Sequence, residues 1–218
     1  MKISVAIDGP AGAGKSTIAK LVAKEFDLMY INTGAMYRAV TLKALENNLK
    51  PENISEICDL ILNMEMHFEN DDLILDGENI QDKITMPEIS GVVSSYASIP
   101  EVRKMLVKLQ RDMSNKYNVI MDGRDIGTVV LKDSKFKIFL TATPEERAER
   151  RYSELIKRDI ECSYDEILKD IIRRDHEDST RAIDPLKKAD DAVEIDTTGL
   201  NIEQVTNKIN EFIRSKLN

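Results

Sequence analysis

Residues 9–16 read Gly9-Pro10-Ala11-Gly12-Ala13-Gly14-Lys15-Ser16, which matches the pattern G-x-x-x-x-G-K-S. An apolar, β-branched stretch at residues 3–7 precedes this loop, and residues 16–26 follow it with apolar side chains at helical spacing. A strand, a glycine-rich loop and a helix in this order present backbone N–H groups and a helix N-terminus to a polyphosphate. The sequence therefore predicts that the chain holds a nucleoside triphosphate by its phosphates.

This phosphate-binding loop, called the P-loop below, has residues with separate expected roles. Lys15 is expected to lie along the β- and γ-phosphates, and the Ser16 hydroxyl is expected to bind Mg²⁺. The glycines allow positive φ angles and a close approach of the backbone to the phosphates. With the next residue of the helix, the expected triphosphate-binding set is Gly9, Pro10, Ala11, Gly12, Ala13, Gly14, Lys15, Ser16 and Thr17.

Strand patterns alternate with helix patterns along the rest of the chain. Apolar stretches predict five core strands near residues 3–7, 28–31, 118–122, 136–140 and 192–195. This alternation is typical of an α/β fold in which a doubly wound parallel sheet has helices on both faces. Ligands of such sheets bind at the carboxyl ends of the strands, so polar residues directly after the strands are candidate site residues.

A change of hydrophobic period marks an insertion in this pattern. Apolar and polar residues alternate from Met64 to Glu69, and Asp76-Gly77 is a hairpin signal. Residues 64–84 are therefore predicted to form a small antiparallel sheet, either as a functional subdomain or as a surface hairpin. Capping patterns predict that later helices begin near Ser98–Glu101, Thr143–Glu146, Ser163–Glu166 and Asn201–Gln204.

Composition restricts the class of protein. The chain has 218 residues, 42% apolar and 32% charged, as expected for one domain with a proper core. The net charge of −8 argues against broad binding to nucleic acid or to an anionic membrane. Cys58 and Cys162 match neither a zinc spacing nor a disulfide framework. We see no signal-peptide pattern and no apolar run of membrane length, and we expect a cytoplasmic protein.

A P-loop protein either hydrolyses the γ-phosphate to switch conformation or transfers it to an acceptor. Switch proteins read guanine with Asn-Lys-x-Asp, whereas Asn115–Asn118 and Asn207–Asn210 both end in Asn and lack the carboxylate. Transfer between two phosphates needs Mg²⁺ and several arginines more than it needs a side-chain base. The chain supplies Arg38, Arg103 and Arg124, and seven of its twelve arginines lie between residues 147 and 181. Salt-bridged surface helices are the alternative reading of that last segment.

Asp122 ends an apolar stretch in the position of a carboxylate near Mg²⁺, although turn chemistry in Asp-Gly would also explain it. Neither histidine has a nucleophile or a metal-ligand pattern around it. His67 is expected on an outward strand face and His176 in a charged loop, both in solvent.

Three stretches together resemble bacterial cytidylate kinases: Asn32–Arg38, Asp122–Val130 and Arg174–Arg181. The resemblance covers nearly the whole chain and includes the insertion at 64–84. It implies a kinase that phosphorylates CMP and dCMP with Mg-ATP. It also implies a P-loop α/β core with an inserted antiparallel β/helical NMP-binding subdomain and a short helical lid. Asn32 departs from the Asp that the family commonly has there, which removes a charge near the acceptor phosphate.

The resemblance also implies roles for residues outside the P-loop. Thr33, Arg38 and Arg124 are expected to bind the acceptor phosphate. Ser94, Arg103 and Asp125 are expected to bind the cytosine, with Arg181 close by. Arg174 and Asp178 are expected to contact the sugar. Arg147, Arg150 and Arg151 resemble lid arginines that close over ATP, and Arg150 is included in the expected ATP site. Lys15, Arg124 and Arg181 are the expected catalytic residues, and Ser16 and Asp122 the candidate Mg²⁺ ligands.

The expected organisation is a core of about 1–37, 100–146 and 180–218, an NMP-binding insertion of about 38–99 and a lid of about 147–179. The expected partners are ATP and CMP or dCMP, without nucleic acid or membrane, and the resemblance suggests a monomer. Two alternatives remain at this point. One is another P-loop small-molecule kinase, acting on UMP, AMP or shikimate. The other is a nucleotide-dependent switch protein.

Overall fold

A five-stranded parallel sheet forms the centre of the protein in the computed structural model, which describes residues 2–217. The strands are β1 (Ser4–Asp8), β2 (Met29–Asn32), β3 (Met66–Glu69), β4 (Asp72–Leu75), β5 (Glu78–Asn79), β6 (Val119–Gly123), β7 (Phe136–Thr141) and β8 (Val193–Asp196). The central sheet has the order β2-β6-β1-β7-β8, and each neighbouring pair is parallel. The five predicted core strands are confirmed, with ends that differ by at most one residue.

The helices cover both faces of this sheet. They are α1 (Lys15–Phe26), α2 (Thr33–Glu46), α3 (Ile54–Leu62), α4 (Gln81–Ile84), α5 (Pro87–Ala97), α6 (Pro100–Lys116), α7 (Pro144–Ile156), α8 (Tyr164–Thr180) and α9 (Ile202–Leu217). Val5 and Ile7 of β1 pack into the core on the side of α1 and α9. Ala6, between them, belongs to the core on the side of α2, α3 and α6. Successive side chains of one strand thus serve both layers, as the predicted doubly wound α/β fold requires.

The predicted small antiparallel sheet is also confirmed. It consists of β3, β4 and β5 in that order, with antiparallel pairing between neighbours. Asn70 and Asp71 join β3 to β4, and Asp76 and Gly77 join β4 to β5, all four with positive φ angles. Buried leucines of β4 pack against Ala35 and Ala39 of α2. The insertion therefore has its own small core, which rests on the helix that follows β2.

The helix starts agree with their predicted capping motifs in part. The Thr143 hydroxyl accepts a hydrogen bond from the Glu146 N–H at 3.2 Å, and Asn201 and Gln204 exchange two such bonds at 2.9 and 3.0 Å. The helix cap predicted at Ser98 is wrong. The Ser98 hydroxyl donates to the carbonyl oxygen of Ser95 at the end of α5, and α6 begins at Pro100 after Ile99.

Two further features bear on the sequence predictions. His176 lies on α8 rather than in a loop, and both it and His67 are exposed as expected. Among residues 2–217, no helix combines the length and the apolar character that a membrane crossing requires.

Candidate active site

The P-loop joins β1 to α1 at the carboxyl edge of the sheet. Gly9 has φ +147°, and a Cβ atom there would lie 2.0 Å from the carbonyl oxygen of Leu140 on β7. Only glycine fits this close approach of two backbones. Gly14, at φ +82°, caps α1, whose first residue is Lys15. The loop therefore leads directly into a helix N-terminus, an arrangement that favours anions.

Lys15 lies buried inside this loop. Its Nζ donates to the carbonyl oxygen of Pro10 at 2.7 Å. Burial, and next the positive charge of Arg124, hold the pKa of Lys15 well below its usual range. Arg124 follows β6, so the structure brings a residue of the predicted acceptor side close to the P-loop lysine. A phosphoryl group between these two cations would be neutralised from both sides.

The Asp122 carboxylate connects the P-loop helix with β2. One of its oxygens accepts from the Ser16 hydroxyl at 2.8 Å, and the other accepts from the Tyr30 hydroxyl at 3.0 Å. Thr33 donates to the Asp122 backbone carbonyl at 2.7 Å. Burial, and next the charge of Asp122, raise the pKa of Tyr30, which therefore stays a neutral donor. The sequence did not indicate this role of Tyr30, because the role depends on pairing between distant strands.

Ser16 and Asp122 have the chemistry that a magnesium ion requires. Mg²⁺ prefers oxygen ligands and is often held by one or two protein groups, with phosphates and water completing its shell. No group of three or more His, Cys, Asp or Glu side chains within residues 2–217 could hold a metal by itself. The hydroxyl and the carboxylate thus fit an ion that arrives with a triphosphate.

Three arginines, Arg38, Arg124 and Arg174, form what we call the arginine cluster. The Nε atoms of Arg38 and Arg174 are buried and have no hydrogen-bond partner among residues 2–217. Burial, followed by the charges of Arg174 and Arg124, lowers the pKa of Arg38 to about 10. Arg124 Nε donates to Asp178 at 2.7 Å. Buried donors without partners are rare in proteins, so this cluster is suited to a bound anion such as a phosphate.

Beside it lie two arginines and two carboxylates, Arg103, Asp125, Arg181 and Asp184, which we call the paired cluster. Arg103 Nη2 forms a short ion pair with one oxygen of Asp125, and Arg181 Nη2 donates to the other at 3.3 Å. Only 2% of Arg103 and 5% of Asp125 are exposed. Burial raises the pKa of Asp125, although Arg103 and Arg181 oppose that effect. The cluster offers a carboxylate acceptor between two guanidinium donors.

The structure leaves one predicted acceptor residue apart. Ser94 lies half-buried on α5, and within residues 2–217 no hydrogen bond ties its hydroxyl to the arginine cluster or the paired cluster. Its neighbour Ala97 is connected, because Arg103 Nη1 donates to the Ala97 carbonyl at 3.1 Å. The other predicted acceptor-side residues lie together: Thr33, Arg38, Arg103, Arg124, Asp125, Arg174, Asp178 and Arg181.

The three candidate lid arginines differ in their contacts. Arg147 is buried and donates to the carbonyl oxygens of Ala142 and Ala11, at 3.0 and 3.1 Å, and to both oxygens of Asp175 on α8. Arg147 therefore ties the P-loop, α7 and α8 together.

Arg150 lies beside the loop. It donates to the hydroxyl and the carbonyl of Thr197, at 3.0 and 2.9 Å. Arg151 instead donates across to the carbonyl oxygen of Thr85 in the insertion, at 3.3 Å. Of these three, Arg150 has the half-buried position at the P-loop that suits contact with a nucleotide.

The sequence indicated Asp8 only as a polar residue directly after a strand and gave it no role. It ends β1, and its carboxylate accepts from the backbone N–H groups of Ile126 and Gly127, both at 2.7 Å. These groups begin a π-helical turn, Ile126–Val130, which directly follows Asp125. Burial raises the pKa of Asp8 to about 7, despite these two hydrogen bonds. Asp8 thereby links the residue before the P-loop to the segment that carries Arg124 and Asp125.

Comparisons with known proteins place these features in a family. A family model described as cytidylate kinase matches residues 5–215. A cytidylate kinase of Clostridium perfringens is 65% identical over 211 residues, which cover 97% of each chain. One of Clostridium acetobutylicum is 59% identical over 217 residues, with full coverage of both chains. The crystal structure of an uncharacterized protein from Eubacterium ventriosum covers 99% of both chains with a TM-score of 0.53 and 14% identity, which shows a shared fold alone.

Proposed function

Because this chain belongs to the cytidylate kinase family, we propose that it transfers the γ-phosphoryl group of ATP to CMP or dCMP. The products are ADP and CDP or dCDP. One observation supports this function most strongly. The arginine cluster, in which two buried donors have no partner among residues 2–217, connects the P-loop lysine with the paired cluster, because Arg124 is close to Lys15 and Asp178 pairs with both Arg124 and Arg181. A donor triphosphate and an acceptor phosphate would meet there, and the nucleobase of the acceptor would face Asp125.

The donor side consists of the P-loop and its surroundings. Lys15 would leave the Pro10 carbonyl for the β- and γ-phosphates, and the N-terminus of α1 would face them. Arg150 would contact the nucleotide from α7. Ser16 and Asp122 would hold Mg²⁺, which supplies positive charge to the phosphates when it is bound.

The acceptor side binds phosphate, sugar and base through different groups. Arg38 and Arg124 would hold the acceptor phosphate with Thr33, and Arg174 and Asp178 would contact the sugar. At the base, the Asp125 carboxylate would accept from the amino group of cytosine, and Arg103 would donate to its ring nitrogen and carbonyl oxygen. Uracil has a carbonyl in place of that amino group, so Asp125 would face an acceptor and the pairing would be lost.

Charge neutralisation and alignment account for the chemistry. Two anionic phosphates repel each other, and negative charge spreads over the transferred group. Lys15, Arg124 and Arg181 would offset this charge at the transferred group. The phosphate oxygen of the acceptor is already ionised and needs no base to activate it. The exposed positions of both histidines agree with this mechanism.

The proposal also covers organisation and setting. We assign residues of about 38–99 to acceptor binding and about 147–179 to a lid, with the remainder as core. Contacts from Arg151 to Thr85 and from Arg173 to the Gly91 carbonyl, at 3.3 and 3.1 Å, support a lid that meets the acceptor region. We further propose a cytoplasmic monomer that binds ATP and CMP or dCMP and, with a net charge of −8, no nucleic acid.

A panel of acceptors tests the function. Release of ADP from Mg-ATP is measured with CMP, dCMP, UMP, AMP, GMP and shikimate in turn. We expect strong stimulation by CMP and dCMP, and weaker stimulation by UMP. Stimulation by AMP or shikimate instead of CMP would assign the chain to another P-loop kinase activity. Slow hydrolysis that no acceptor stimulates would indicate a nucleotide-dependent switch.

A further inference from the structure

Asp184 contacts both arginines of the paired cluster. One of its carboxylate oxygens accepts from Arg103 Nε at 3.0 Å, and its backbone carbonyl accepts from Arg181 Nε at 2.7 Å. The same two guanidinium groups also contact Asp125 through their Nη2 atoms. The four residues thus close a ring in which each arginine is fixed between two acidic residues.

The backbone of Asp184 supports a specific role in this ring. Its φ angle is +48°, in the left-handed region that most residues avoid and that Asp and Asn tolerate best. Such conformations persist where the surroundings enforce them, and they are concentrated at functional sites. Here one residue supplies acceptors to two arginines, from its side chain and from its backbone.

Charge balance gives the Asp184 carboxylate a second effect. The side chains of Arg103 and Arg181 are 2% and 8% exposed, so two cations lie almost out of water. Asp125 pairs with both of them, Asp178 lies 3.9 Å from Arg181, and Asp184, at 26% exposure, gives Arg103 a second carboxylate. Burial lowers the pKa of Arg103, but Tyr37, Asp125 and Asp184 together raise it above its ordinary value. Without Asp184, the Arg103 Nε–H would lose its acceptor inside the protein.

Arg103 has a defined orientation because each of its nitrogens has a separate partner. Nε donates to Asp184, Nη1 to the carbonyl of Ala97 and Nη2 to Asp125. The guanidinium group also lies over the ring of Tyr37, 5.5 Å from its centre. Loss of the Nε contact would let the Arg103 guanidinium group adopt other orientations. The donors that face the acceptor base would then no longer be held in one position.

We propose that Asp184 is a positioning residue that holds Arg103 and Arg181 against Asp125 and thereby sets affinity for the pyrimidine monophosphate. The inference rests on the proposed function, since it assigns the paired cluster to the acceptor base. The Asp184 carboxylate contacts Arg103, whereas Arg181, which also serves the transfer step, contacts the Asp184 backbone carbonyl that a side-chain substitution retains. Replacing the side chain therefore acts on acceptor binding and leaves the donor site and the transfer step unchanged.

The test compares two variants with a matched control. Asp184→Ala removes the carboxylate and strains the left-handed backbone, whereas Asp184→Asn keeps an oxygen for Arg103 Nε and tolerates that backbone. Asp159→Asn changes another aspartate with a positive φ angle, which is exposed in the α7–α8 connection. For each protein, kcat and the KM values for CMP and ATP are measured, together with Tm and CMP binding by calorimetry.

We expect Asp184→Ala to raise the KM for CMP, and the Kd from calorimetry, by roughly 10-fold or more, as for an unmet buried donor. Asp184→Asn should raise both by about 3-fold, since a charge-assisted hydrogen bond becomes a neutral one. The values of kcat and of the KM for ATP should stay within about twofold of wild type. Asp159→Asn should match wild type throughout.

Two results overturn the inference while the proposed function stands. One is turnover of CMP with an unchanged KM for CMP in Asp184→Ala. The other is a parallel change of both KM values and Tm in the two Asp184 variants, which would mark a structural role. A wild-type protein that does not phosphorylate CMP overturns the proposed function and this inference with it.

Discussion

Replacement of Asp8 by Asn should change how the stability of the protein depends on pH. The Asp8 carboxyl is 4% exposed, and burial raises its pKa to about 7 in the folded protein from an ordinary 3.8. A carboxyl whose pKa is raised by folding stabilises the folded state at low pH. That contribution is complete below the unfolded pKa and is lost as the pH rises through the folded pKa.

The magnitude follows from these two pKa values. Each unit of difference corresponds to about 1.4 kcal/mol, so the contribution of Asp8 falls by about 3 kcal/mol between about pH 5 and pH 8.5. Asn does not titrate and lacks this dependence. Asp8 accepts hydrogen bonds from two backbone N–H groups, and the amide NH₂ of Asn would face one of them. This lost hydrogen bond costs roughly 1–3 kcal/mol of folding free energy at any pH.

The assay is urea unfolding of the wild type and Asp8→Asn without nucleotide, at several pH values over this range. We expect Asp8→Asn to be the less stable protein at pH 5 and the difference to shrink by about 3 kcal/mol towards pH 8.5. Asp133→Asn, at an exposed position, is the control and should keep a constant difference from wild type. A difference for Asp8→Asn that stays constant across the range would show that folding does not raise the pKa of Asp8.

Three further substitutions test other parts of the structure. Lys15→Ala should lower kcat by at least about 100-fold, while Tm stays equal or rises because a buried cation facing Arg124 is removed; retained turnover would exclude Lys15 from the mechanism. Gly9→Ala should cost roughly 2–4 kcal/mol in urea unfolding, since its Cβ would overlap the Leu140 carbonyl oxygen; a wild-type midpoint would contradict this. Thr143→Ala should cost about 1 kcal/mol by the same assay through loss of the α7 cap, and Thr143→Ser is its control.

The sequence predicts much of the fold because its signals are local. The β-branched stretch before Gly9, the hydrophobic spacing of α1 and the Asp76-Gly77 turn each act within about ten residues. Where two local signals overlap, the prediction failed. Ser98 lies between α5 and α6, and its hydroxyl bonds back to Ser95 instead of capping the next helix.

The site was harder to predict because its contacts join distant segments. Asp8 is 118 residues from Ile126, and Asp184 is 81 residues from Arg103. An acidic residue after a strand, or before Pro185, has many possible roles in a sequence. The sequence also did not indicate which of Arg147 and Arg150 is placed to contact the nucleotide, because that depends on which side of α7 meets the P-loop. The family resemblance indicated the acceptor residues, and the packing shows what holds them in place.

In the paired cluster, Asp125 is the residue that we propose selects cytosine over uracil. The most direct measurement is the ratio of kcat/KM for CMP to that for UMP, in wild type and in Asp125→Asn. Asn keeps an acceptor for the cytosine amino group and adds a donor for the uracil carbonyl. We predict that the ratio falls by roughly 10-fold or more, mainly through improved use of UMP. An unchanged ratio in a folded Asp125→Asn protein would exclude Asp125 as the residue that distinguishes the two bases.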